Sequence, residues 1–247
     1  MRGSSIDQDP FPNRRIRLLV RWGLGSGVAV ARYLVHRVPM YRRNRRPIEE
    51  PDPPDFSREL PGDADELQRP ADGIGALYHR RYSVAYTDGT LGPAELITTL
   101  LGNLNAASPV EFSHFESLRT RNGERLGVGD ELVVRLPGPW DGPVRVIAVD
   151  DTSFRLATLR GHMEAGEIEF RASANEHGWT VFEIVSWARS GDRMFRWLYD
   201  RLPIARELQL HMWSHFCQRV VRIAGGIVMS NVEMHTCTRD EDGALPA

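Results

Sequence analysis

Lysine is absent from this 247-residue chain; all 31 basic residues are arginine. That absence excludes any mechanism running through a Schiff-base or P-loop lysine, and codon usage in a GC-rich genome is its simplest origin. Cysteine is nearly absent too. Cys217 and Cys237 alone do not make a disulfide framework or a zinc-type cluster, and they fit a reducing cytoplasm. Long uncharged apolar runs are also missing. The most apolar stretch, Ile16 to Met40, is broken by Arg17, Arg21, Arg32 and Arg37. A spanning helix needs about 20 nearly uncharged residues, and an arginine at mid-membrane costs at least ~2.5 kcal/mol, so a transmembrane helix is rejected. No small-residue cleavage site follows, so a secretory signal fits poorly. Nucleophile elbow, glycine-rich phosphate loop and nucleic-acid motif are all lacking, and neither a cofactor nor a metal is expected.

What is present begins with segregated charge. Met1 to Arg46 carries 11 arginines against Asp7 and Asp9, whereas Pro47 to Asp72 carries nine acids against Arg58 and Arg69. The pattern predicts four regions: a basic, apolar arm (1–46), an acidic Pro-rich linker (47–72), a compact domain (73–226) and a tail (227–247). Two placements fit the arm. It is either an interfacial helix on anionic lipid through residues 14–46, with arginines snorkelling beside Trp22 and Tyr33, or a helix docked on the chain's own domain. Localisation is accordingly expected to be cytoplasmic, with peripheral contact at the inner membrane under the first placement. Specific nucleic-acid binding is not expected.

Within the domain, alternation from Ala76 to Tyr86 predicts a strand, and Asp88-Gly89 a turn. Pro93 opens a helix whose apolar residues fall at Leu96, Leu100 and Leu104. Strands are then predicted at Phe112 to Arg119, Glu131 to Leu136, Val144 to Val149, Ser153 to Leu159, Gly166 to Ala174 and Trp179 to Ala188, separated by turn signals such as Asn122-Gly123 and Glu176-His177-Gly178. A long amphipathic helix follows from about Asp192 to Ile223, capped by Asp192, kinked or interrupted at Pro203 and ended by Gly225-Gly226. A strand, one or two helices, a run of strands and a final long helix make the order of an α+β helix-grip fold, a curved antiparallel sheet wrapped around its last helix.

Several phrases carry a resemblance. Gln68-Arg-Pro-Ala-Asp-Gly73, Tyr78-His-Arg-Arg-Tyr82, Pro137-Gly-Pro-Trp-Asp-Gly-Pro143, Thr158 to Phe170, Trp187-Ala-Arg-Ser-Gly191 and Leu210-His-Met-Trp213 resemble, in order, the bacterial and plant family known as domain of unknown function nineteen-ninety. The resemblance covers about Gln68 to Gly226. That family is similar to START-like and birch-pollen-allergen-like helix-grip proteins, which implies an internal cavity for lipids, sterols, polyketides or plant hormones. The family carries no established activity, so the resemblance supplies no catalytic residues.

The residues themselves offer a few candidates. Glu183 interrupts an otherwise apolar strand, with Val181, Val185 and Trp187 on its own side, and a carboxylate there must be paired or face water. Its candidate partners are Arg189, of the same parity, and Arg171, on the neighbouring strand. Directed inward, such a pair is a polar anchor in an apolar cavity; directed outward, it is a cross-strand ion pair. His162, in the turn Arg160-Gly-His-Met-Glu164, is suited by its near-neutral pKa to acid–base work, although a plain hairpin carrying solvated Glu167, Glu169 and Arg171 is the favoured account of the segment. Trp140 reads as a hairpin tip at a cavity mouth. Glu207, His211 and His215 share one helix face, yet i to i+8 spans about 12 Å, too far for one metal ion.

The ligand-binding set expected from the sequence is thus Glu183, Arg189, Trp187, Trp140 and His162. The leading function is a helix-grip protein holding a small apolar, lipid-like or polyketide-like ligand. Two alternatives stand beside it. One is a cyclase- or hydrolase-type enzyme using Glu183, His162 and tyrosines in the same cavity. The other is a non-catalytic interaction protein whose sheet is backed by the N-terminal helix.

Overall fold

The structure, a computed structural model, describes residues 40–43, 64–109, 113–119, 125–135, 141–191 and 203–239. Its strands are β1 (Met40–Arg43), β2 (Ile74–Thr87), β3 (His114–Arg119), β4 (Glu131–Arg135), β5 (Asp141–Val149), β6 (Ser153–Thr158), β7 (Glu164–Ala174), β8 (Thr180–Ser190), β9 (Ile227–Val228) and β10 (Val232–Arg239). Helices α1 (Pro93–Gly102) and α2 (Leu104–Ala107) follow β2, and the long helix α3 (Pro203–Ile223) precedes β9. The strands form one ten-stranded sheet in the order β1-β10-β2-β8-β7-β6-β5-β4-β3, with β9 against the end of β2. All pairings are antiparallel except β1 with β10. This is the helix-grip arrangement.

One face of the sheet packs on the helices. Tyr82, Val84 and Tyr86 from β2, Phe182 and Ile184 from β8, Phe170 and Ala172 from β7, Phe154 and Leu156 from β6, and Val144 and Val146 from β5 join Trp213, Phe216, Cys217 and Val220 of α3 in a single core. Period-two alternation explains why every second residue of each strand reaches it. Ile147, next to Val146, faces the other way by the same alternation and packs with Leu67, Ala157 and Leu159. Helix α1 starts where Pro93 lacks only a hydrogen bond it would not have made, and the Glu95 carboxylate accepts from the Gly92 N–H at 3.0 Å. It buries Leu96, Ile97, Leu100 and Leu101.

Two sequence expectations change. Domain boundaries at 73 and 226 are too narrow: Met40–Arg43 of the expected arm and Val232–Arg239 of the expected tail are strands of the same sheet. Part of the expected linker also belongs to the domain. Ala64–Glu66 and Pro70–Asp72 form short 3-10 turns, Leu67 bridges to Leu159, and the Gln68 N–H donates to the Thr158 carbonyl at 2.8 Å. The last helix is described from Pro203 to Ile223, and the expected kink or interruption at Pro203 turns on the residues before it. Asp192 and the stretch up to 202 lie outside the described residues, as do Trp140 and the arm before Met40.

Candidate functional site

The helix-facing side of the sheet is graded from end to end. At one end it is filled by rings. Phe170 stacks on Phe154 with centroids 4.7 Å apart, and meets Phe216 at 5.5 Å and Trp213 edge-on at 5.7 Å. Phe182 lies 6.3 Å from Phe216. Toward the other end the same strands mix polar residues with apolar ones. Tyr78, Ala188 and Gly166 stand in register across β2, β8 and β7, and Arg80, Ser186 and Ile168 form the next row.

A polar cluster spans that second end between sheet and helix. Gln209 of α3 places Nε2 at 3.1 Å from both carboxylate oxygens of Glu164, and its Oε1 accepts from Arg80 at 3.3 Å. Arg80 lies 3.7 Å from Glu164, and its guanidinium sits 4.8 Å from the Tyr78 ring centre. A buried guanidinium must be paired and hydrogen-bonded, and this cluster meets that condition from three separate elements. None of Arg80, Glu164 and Gln209 was among the site residues read from the sequence. The only available signal was the placement of Arg80 on the parity of Tyr78 and Tyr82.

Glu183 faces the other way. It alternates with Phe182 and Ile184, which enter the helix-packed core, so its carboxylate lies on the opposite, outer face. There Arg171 Nε reaches one oxygen at 2.8 Å and Arg81 Nε the other at 2.8 Å. The expected partner Arg189 donates instead to the Gly75 carbonyl. The pairs extend into a ladder: Arg171 to Glu169 at 3.4 Å, Arg155 to Glu169 at 3.2 Å and to Glu167 at 3.5 Å, and Arg145 to Glu131 at 2.6 Å. Glu167 and Glu169 are therefore paired and largely buried, not solvated as expected. Trp187 belongs to this face as well, stacked on His79 at 5.1 Å and 5.6 Å from the Arg155 guanidinium. The placement of Glu183, Trp187 and Arg189 in the cavity is corrected by strand parity: both faces of β8 are apolar, and α3 covers the other one.

His162 is part of a stitched loop. Its Nδ1 lies 2.9 Å from the Glu164 N–H and 3.0 Å from the Glu164 carbonyl oxygen, so the ring is tied to the Glu164 backbone. Gln68 Nε2 donates to the carbonyls of His162 and Glu164, its Oε1 accepts from Gly161 N–H, and the Thr158 hydroxyl donates to the Gln68 carbonyl. Gly191 closes the same knot, since a Cβ there would stand 2.4 Å from Gln68 Nε2. The family-like phrases at Gln68, Thr158 and Trp187 thus meet in one structural junction.

Burial lowers the His162 pKa from its ordinary 6.5, against the opposing pull of the Glu164 charge. A histidine kept neutral when folded binds fewer protons than in the unfolded chain below pH 6.5, so stability present above that pH falls as the medium is acidified. Urea titrations at pH 7.5 and 5.5 should show this loss, at no more than about 1.4 kcal/mol per pH unit from this group. H162N should flatten the dependence; an unchanged profile would remove the assignment.

On α3, the rings of His211 and His215 meet edge-on at 4.7 Å; the Glu207 side chain lies outside the described residues. Among the described residues no three His, Cys, Asp or Glu cluster as a metal site, and no helix is long and apolar enough to cross a membrane. Burial, assisted by the Glu183 charge, pushes the Cys217 thiol far above its usual range, which holds it protonated and unreactive.

Residues 111–219 match the family described as "Domain of unknown function (DUF1990)". No curated protein matches the chain. Among solved structures, norcoclaurine synthase from Thalictrum flavum is 15% identical, with 66% of this chain and 95% of that one covered at a TM-score of 0.40. A START superfamily protein from Mycobacterium smegmatis is 13% identical, with 61% and 98% covered at 0.41. A hypothetical protein from Helicobacter pylori is 10% identical, with 58% and 86% covered at 0.43.

Proposed function

We propose that the domain is a container for a small apolar molecule, lipid-like or polyketide-like, held between the graded sheet face and α3. The observation that carries this reading is the change from an aromatic interior to a polar cluster along one face. Where Phe154, Phe170, Phe182 and Phe216 fill the interior at one end, the rows Tyr78-Ala188-Gly166 and Arg80-Ser186-Ile168 bring polar groups to the other. An apolar wall with a few convergent polar groups is the usual build of a small-molecule site.

The test is native mass spectrometry of the full chain purified from its own host, followed by organic extraction. A stoichiometric apolar passenger is the expected result. An apo mass that stays apo after incubation with a host lipid extract would overturn the reading.

The arm supports a location for this container. Arginines flanking Trp22 and Tyr33 within residues 14–46 suit an anionic membrane surface, each contributing about 1 kcal/mol near it. Because Met40–Arg43 pairs with β10, the informative truncation removes residues 1–38 and leaves that strand in place. Full-length protein should float with phosphatidylserine-containing vesicles while the truncated form stays behind; equal flotation of both would discard the membrane role.

A further inference from the structure

The polar end of the sheet face has a chemical preference. We infer that Arg80, Glu164 and Gln209 form the head-group site of the proposed container, and that it takes an apolar molecule whose polar end donates a hydrogen bond, an alcohol or an amine, in preference to an anionic head. The inference rests on the container reading and specifies its ligand class.

Exposure decides which group is presented. The Arg80 side chain is only 4% exposed, while that of Glu164 retains 19%. The guanidinium is turned into Gln209 and Glu164 and lies over the Tyr78 ring, so it is spent on the protein. The carboxylate is not. It offers about four lone-pair positions. The Gln209 amide approaches at 3.1 Å to each oxygen, and Arg80 at 3.7 Å is an ion pair beyond normal hydrogen-bond length. Acceptor capacity therefore remains on the Glu164 side chain.

Position fits as well. Glu164 is the first residue of β7, opposite Ser190 and two residues before Gly166, at the polar end of this face. His162 meets the backbone of Glu164 through Nδ1, leaving the side chain to the helix side. A donor head completes the carboxylate's hydrogen bonding, whereas a carboxylate or phosphate head brings a second negative charge to a site of restricted water access, where like charges repel more strongly than in bulk.

The test displaces N-phenyl-1-naphthylamine from the full-length protein with 1-dodecanol, dodecylamine or dodecanoate, tails of equal length. Comparing wild type with Glu164→Gln cancels differences in the competitors' own hydrophobicity. In the wild type, dodecanoate should be weaker than dodecanol or dodecylamine, and Glu164→Gln should improve dodecanoate relative to them by about tenfold, the scale of one charged contact. Glu169→Gln, which removes the same charge from the outer face, should leave the ratios unchanged. Preference for the alcohol or for the amine identifies which donor head the site takes. Ratios that do not move in Glu164→Gln, or that move equally in Glu169→Gln, overturn the inference while naphthylamine binding keeps the container reading. Failure of naphthylamine to bind the wild type at all overturns both.

Discussion

Phe170→Ala should lower the unfolding free energy by about 4 kcal/mol, the usual range for a fully buried phenylalanine being about 3–5. The ring is fully buried and touches Phe154, Phe216 and Trp213 within one cluster, so its loss removes contacts to β6 and to α3 together. Neighbouring rings held by their own strands cannot collapse fully into the void, which is why the cavity penalty adds to the transfer term. Urea unfolding followed by tryptophan fluorescence reads the change. A loss below about 1.5 kcal/mol would mean the aromatic end is loosely packed, and it would weaken the contrast with the polar end on which the container reading depends.

Gly166→Ala is the second large effect, and it acts through the backbone. A Cβ at Gly166 would stand 2.0 Å from the Trp187 carbonyl oxygen and 2.7 Å from the Ala188 Cα. Neither atom is the end of a flexible side chain, so β7 and β8 must move apart. The Gly166 N–H also takes the Thr158 hydroxyl as its acceptor at 2.9 Å, and the same hydroxyl donates to the Gln68 carbonyl at 2.7 Å. Displacing one strand therefore disturbs the junction of β6, β7 and the Gln68 segment. A loss of about 3 kcal/mol is expected, the upper part of the overpacking range, lowering Tm by roughly 6–12 °C at this chain length. Gly161→Ala is the contrasting case: a Cβ there meets nothing within 4 Å, and its φ of +93° is the difficulty instead. Its cost should be nearer 1 kcal/mol. Equal losses at the two glycines would show that close approach is not the deciding factor.

The sequence disclosed most of this sheet because its inner strands alternate strongly and end at Gly, Asp and Asn turns. The strand predicted at Trp179 to Ala188 is observed as Thr180–Ser190, and Gly166 to Ala174 as Glu164–Ala174. Two elements at one end of the sheet were illegible for a physical reason. Met-Tyr-Arg-Arg (40–43) is too short and too charged to show an alternating pattern, and in Val-Glu-Met-His-Thr-Cys-Thr-Arg (232–239) the buried alternation stops after Val232 and Met234.

The site was harder still. Parity placed Val181, Glu183, Val185 and Trp187 together correctly, but it does not say which apolar face of β8 receives the helix; Phe182 and Ile184 do. The Arg80–Gln209 hydrogen bond joins residues 129 positions apart, and Gln68 reaches the His162 loop across 94. Contacts of that separation leave no local period to read.

The position of β2 has a kinetic consequence. Its strand neighbours are β8, beginning at Thr180, and β10, beginning at Val232, so both ladders wait on chain made about a hundred residues or more later. During synthesis β2 emerges with its hydrogen-bonding edges unmatched and Tyr82, Val84 and Tyr86 uncovered. Pairings of such long sequence separation form slowly, and unmatched strand edges attract other chains in the interval. The same central strand that organises the finished sheet is thus the one most in need of protection while the protein is being made.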